Sequence, residues 1–175
     1  MKKCILFAMS CATWVMAAHA AQHAHVHGEI QLGVAIEGMT VTVDIDTPLE
    51  SLIGFEHPPH SAQEMALSRQ WADAVKQPAG LLKFNPEAAC SLKQADLDAA
   101  VLGLGKAHQQ APDGHADLEG NWTFECRHPD ALRALDLGFF ERSPHAQRIE
   151  VRLITAQGQR KLSLKRPLAR IPLAQ

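Results

Sequence analysis

Residues 29–48 read EIQLGVAIEGMTVTVDIDTP, and the fold turns on this stretch. Ile30, Leu32, Val34 and Ile36 alternate with Gln31, Gly33 and Ala35. After Gly38-Met39, Val41, Val43 and Ile45 alternate with Thr40, Thr42, Asp44 and Asp46. Successive side chains of an extended chain point to opposite faces. Each run therefore has one apolar and one wet face. Two such runs around a short glycine-containing turn predict a β-hairpin, with Thr47-Pro48 ending its second strand.

Downstream of the hairpin lies GFEHPPH, residues 54–60. Pro58 and Pro59 restrict φ and remove two donors, so His57 and His60 sit on a stiff, non-helical connection. A ligand platform and a plain strand-to-helix turn with two surface histidines are both consistent with it. Ser61 and Glu64 have capping-box spacing, which predicts that a helix begins here. Leu67, Trp71, Ala74 and Val75 then repeat at helical spacing through 61–77, and Pro78 and Gly80 stop the helix. Trp71 reads as core.

The remainder is mostly strand-like. Residues 81–84 are a short apolar run, and a strand opens at Cys90. Residues 99–114 are rich in Ala, Gly and Gln, contain a Pro112-Asp113-Gly114 turn, and predict a flexible loop. Residues 117–126 read as a strand ending at Cys126, 129–133 as one helical turn, and 135–140 as a strand or a partly buried edge. A closing hairpin spans 149–164 around Gln157-Gly158, and 166–175, with Pro167 and Pro172, is expected to be a peripheral tail. Six to eight strands with one main helix and no βαβ alternation predict an α+β fold. It is mainly an antiparallel sheet or sandwich with the helix packed on it.

The chain begins with a basic Met1-Lys2-Lys3, an apolar run from Cys4 to Ala17, and Ala18-His19-Ala20. That order predicts a secretory signal peptide over 1–20, cleaved after Ala20, and a single domain over 21–175. No later apolar run is long enough to span a membrane. Without Lys2 and Lys3, 15 basic residues face 19 acidic ones, a net charge of −4. Nucleic-acid binding, which needs a basic footprint, is not expected. Two cysteines remain, Cys90 and Cys126. In an oxidising compartment they read as one disulfide, with two buried free thiols as the alternative.

Nine of the ten histidines lie after Ala20. His23, His25 and His27 fall on every second residue, so an extended backbone would turn three imidazoles one way. A His-rich, disordered start to the mature chain is the competing reading. Neutral imidazole is a principal ligand of zinc and copper. Antiparallel pairing sets the start of the first strand beside the end of the second. The His25/His27 pair is therefore expected close to the loop carrying His57 and His60. His115 and Asp117 open a later strand and are candidates to complete the site. His108 lies in the predicted loop. His128 and His145 adjoin prolines in turns and read as plain surface residues. With the cysteines paired, a His/carboxylate zinc site is the expected type, copper not being excluded by ligand type.

Templates for an enzyme are missing. There is no H-E-x-x-H, no G-x-S-x-G and no phosphate-cradling glycine loop. The order HVHGEIQLGVAIEG, LIGFEHPPHSAQE, a strand with Cys90, HADLEGNWTFEC, FFERSP and IEVRLITAQGQ resembles the ZrgA-type periplasmic proteins, a family long carried as a domain of unknown function. The resemblance covers nearly all of the chain after Ala20. It implies a zinc-binding accessory protein of Gram-negative bacteria, expressed when zinc is scarce. Such a protein acts beside a periplasmic zinc-import binding protein or transporter, and is not an enzyme. Many members carry a long His/Asp/Glu-rich insertion where residues 99–114 here keep only His108 and Asp113. The resemblance then implies a small number of sites on the folded body. The competing function is an exported structural or adaptor module with incidental histidines.

Overall fold

The computed structural model describes residues 26–105 and 116–173. The signal segment, His23, His25, His108 and His115 lie outside the described residues. The predicted hairpin is present as β1 (Glu29–Glu37) and β2 (Thr40–Pro48). Its register runs from Gln31 opposite Asp46 to Glu37 opposite Thr40. Gly38 takes φ +58°, which a glycine adopts without a Cβ penalty at the first position of a two-residue turn. Ile30, Leu32, Val34, Val41, Val43 and Ile45 are all buried.

Helix α1 (Glu50–Ile53) is a single turn after β2. Gly54 ends it at φ +85°, with its N–H donating to the Glu50 carbonyl. Helix α2 (Ala62–Lys76) begins at the predicted capping box. The Ser61 hydroxyl accepts from the Glu64 N–H at 3.1 Å, and the Glu64 carboxylate accepts from the Ser61 N–H at 3.1 Å. Trp71, Ala72 and Val75 form its buried face, so Trp71 is core as expected. Trp122 closes the helix from the sheet side by donating its indole N–H to the Val75 carbonyl.

Strand β3 (Leu82–Phe84) precedes β4 (Cys90–Asp98) and β5 (Asp117–Cys126). Then come β6 (Ala134–Leu137), α3 (Phe139–Arg142), β7 (Arg148–Thr155), β8 (Gly158–Lys165) and β9 (Arg170–Pro172). Two sheets result, a six-stranded one in the order β4-β5-β2-β1-β7-β8 and a three-stranded one in the order β3-β6-β9. The fold is mostly β with one main helix, in line with the predicted α+β class. Cys90 and Cys126 face each other in the β4–β5 register and form the disulfide.

The large sheet is mainly antiparallel, as expected, with one parallel pair, β1 and β7, running from Glu29 opposite Arg148 to Ala35 opposite Ile154. Three expectations are corrected. Part of the predicted 99–114 loop is packed: Ala99, Leu102 and Leu104 are buried, and Ala99 bridges Leu104. The predicted 166–175 tail is not peripheral, since β9 pairs with β6 and buries Ile171 and Leu173. Phe139 and Phe140 belong to α3 rather than to a strand, and both are buried. In each case a few apolar residues without clear periodicity found a place in the core that only the assembled sheets provide.

Candidate metal centre

One end of the large sheet collects the start of β1, the end of β2 and the start of β7. Two buried serines bind these segments together. Gly28 N donates to Ser51 Oγ at 2.9 Å, and Ser143 Oγ donates to Ser51 O at 3.0 Å. Ser143 Oγ in turn accepts from the N–H groups of His145 and Ala146. The Gly28 carbonyl accepts from the N–H groups of Gln147 and Arg148. Ser51 and Ser143 are fully buried, so these bonds stand in for the solvent that both hydroxyls have lost. The residues beside this hub are His27, Gly54–His60 and His145.

His27 Nε2 lies 3.7 Å from Glu56 Oε1. The imidazole is 63% exposed and the carboxylate 14%, so Glu56 is the sheltered member. The 54–60 loop thus reaches His27 through Glu56. The side chain that meets His27 is Glu56, which the sequence reading did not name.

His57 and His60 form a second group. Their rings stack at 4.6 Å between centroids and 18° between planes, and Phe55 stacks on the other side of His57 at 5.1 Å. His57 Nδ1 is 2.9 Å from the Pro58 carbonyl. A carbonyl only accepts, so this contact sets the proton on Nδ1 and leaves the Nε2 lone pair for a ligand. Glu64 Oε2 accepts from His60 N at 2.6 Å. That bond is the main cause that holds the Glu64 carboxyl below its usual range, against desolvation, with the Ser61 N–H and, when protonated, His57 and His60 adding to it.

Asp117 opens β5 opposite Pro48, at the same end of the sheet, and Leu49 N donates to Ala116 O beside it. His23, His25 and His115, also expected as ligands, lie outside the described residues. Among the described residues, no three His, Cys, Asp or Glu side chains already stand close enough together to hold a metal ion. His128 is exposed and sits near the disulfide end of β5, its N–H bonded to the Ala88 carbonyl. His145 is exposed as expected, yet its ring rests on Gly54, a contact that nothing local in the sequence signals. Among the described residues, no helix is long and apolar enough to cross a membrane.

Fold and site together define a disulfide-bonded, β-rich domain that displays imidazole and carboxylate donors at one end of its main sheet. The chain belongs to the ZrgA family zinc uptake proteins, whose family model matches residues 24–173. None of the curated proteins compared matches it. A zinc-related role follows from the family.

Proposed function

We propose that this protein is a periplasmic zinc-binding accessory protein that buffers zinc or hands it to an importer, without catalysing a reaction. The observation that carries this reading is the approach of His27 to Glu56 at 3.7 Å, inside a zinc-uptake family. Imidazole nitrogen and carboxylate oxygen are ordinary zinc donors. The cysteines are engaged in a disulfide, so thiolate is not available to the ion. His57, with its Nδ1 proton on Pro58 O, has the tautomer that a metal-ligating histidine takes when a carbonyl orients it.

The partner in this reading is a periplasmic zinc-import binding protein or its transporter. A disulfide and a predicted signal peptide both suit that compartment. Titration of metal-free mature protein with zinc, in competition with a chromophoric chelator at neutral pH, tests the binding. A stoichiometric step is expected. A featureless titration would leave an adaptor with incidental histidines. A parallel copper titration is needed, because nitrogen donors favour copper over zinc in the Irving–Williams order.

A further inference from the structure

His27 and Glu56 are two donors, and zinc in proteins takes at least three. His57 points elsewhere. His57 joins the Phe55 and His60 rings rather than Glu56. A different residue lies against Gly54, at the start of the same loop.

That residue is His145. An ideal Cβ placed on Gly54 would lie 2.6 Å from His145 Nε2 and 2.7 Å from Cε1. The imidazole therefore occupies the notch that the missing side chain leaves. The carbonyl of His145 is 3.4 Å from the ideal Cβ position of Gly28. His145 is thus seated between the residue that follows His27 and the residue two before Glu56. Its backbone is held there by its N–H bond to the buried Ser143 hydroxyl. Nε2 faces Gly54, which puts Nδ1 on the far side of the ring. Among the described residues, neither ring nitrogen of His145 has a hydrogen-bond partner.

We propose that His145 is a third metal ligand, joining His27 and Glu56 in one zinc site at this end of the sheet. The proposal rests on the zinc-binding reading above and names a residue of that site. Glu56 is the fixed member, sheltered by the fold. His27 and His145 are exposed side chains, and exposed side chains exchange rotamers in picoseconds to nanoseconds. In the proposed site both imidazoles turn onto the Glu56 carboxylate when an ion arrives. Two imidazoles and one carboxylate leave one tetrahedral position open. An acceptor can bind the ion there before this protein releases it, which is what a hand-over requires.

The test uses the full mature chain. Zinc affinity is measured by chelator competition for wild type, His145→Ala, Glu56→Gln, His27→Ala and His128→Ala. Imidazole nitrogen shifts of the wild type are followed by NMR over the same zinc additions. The expected result is a loss of roughly 10-fold or more for His145→Ala, the lower range even for an outer partner of a metal ligand. The His145 ring signals should move with the same zinc equivalent as those of His27, and His128→Ala should match wild type. If Glu56→Gln and His27→Ala weaken binding while His145→Ala does not, and the His145 signals stay in place, the third ligand is wrong and the zinc-binding reading stands. If wild type shows no stoichiometric binding, both fall. Should His145→Ala unfold, the shifts of the wild-type ring decide the matter alone.

Discussion

The indole N–H of Trp122 donates to the carbonyl of Val75 at 2.6 Å, joining the middle of β5 to the last turn of α2. Both residues are fully buried. The last four carbonyls of a helix have no partner within it, and here the sheet supplies one. Trp122→Phe keeps most of the apolar volume and removes the donor. We expect it to destabilise the fold by about 1–3 kcal/mol, the cost of a buried acceptor left without a partner. Urea unfolding measures this. Zinc affinity should not change, because the bond lies in the core rather than at the histidine-bearing end of the sheet. An unchanged urea midpoint would mean that water replaces the indole.

Ser61 caps α2 through a reciprocal pair with Glu64. Ser61→Ala should cost about 1 kcal/mol, the usual loss for a helix N-cap. The Glu64 carboxyl has a folded value below its ordinary 4.5, first because the His60 N–H donates to it. A lowered value stabilises the fold above the unfolded-state titration and stops doing so as pH falls through the folded one. Stability of the wild type should therefore fall below pH 4.5, the ordinary Glu64 value, more steeply than that of Glu64→Gln. Parallel slopes in thermal melts across that range would show that the carboxylate contributes nothing.

The disulfide joins positions separated by 36 residues. Closing a loop of this length contributes roughly 4 kcal/mol in the chain-entropy model. The double variant Cys90→Ala/Cys126→Ala should lose stability of that order in urea. Thiol labelling of the denatured, unreduced wild type should find no free cysteine. Labelling of both would place the protein in a reducing compartment or leave the pair unformed.

Leu102 is buried within the stretch that composition alone marks as a loop. Leu102→Ala should cost about 2–5 kcal/mol, as for other buried leucines. A loss well under 1 kcal/mol would mean that this turn packs only loosely on α2.

Metal binding supplies the last expectation. Imidazole ligates only when neutral, so zinc affinity should drop as pH is lowered through about 6.5, where free histidine titrates. His57→Ala should weaken zinc binding by about 10-fold or more if the 57/60 pair takes part. Chelator competition reads both effects. Affinity equal to wild type for His57→Ala would confine the site to the His27 side of the loop.

The hairpin of β1 and β2, the start of α2 and the pairing of Cys90 with Cys126 were legible in the sequence. Period-two alternation, capping-box spacing and a cysteine count are each carried by the residues concerned, so neighbours along the chain suffice to state them. The same logic brought the 54–60 loop to His27, because a tight hairpin leaves little freedom in where its two ends lie. It did not reach the side chains. Glu56 rather than His57 meets His27, since that depends on how the loop is turned against the sheet. Nothing near Pro144 announced that His145 would rest on Gly54. That contact exists because β7 pairs in parallel with β1, placing Arg148 opposite Glu29 across most of the chain. Likewise Leu102, Leu104, Ile171 and Leu173 show no period of their own, and only the two packed sheets made room for them. Local backbone geometry writes itself into adjacent residues, whereas pairing between distant strands is decided by which apolar faces can be buried together.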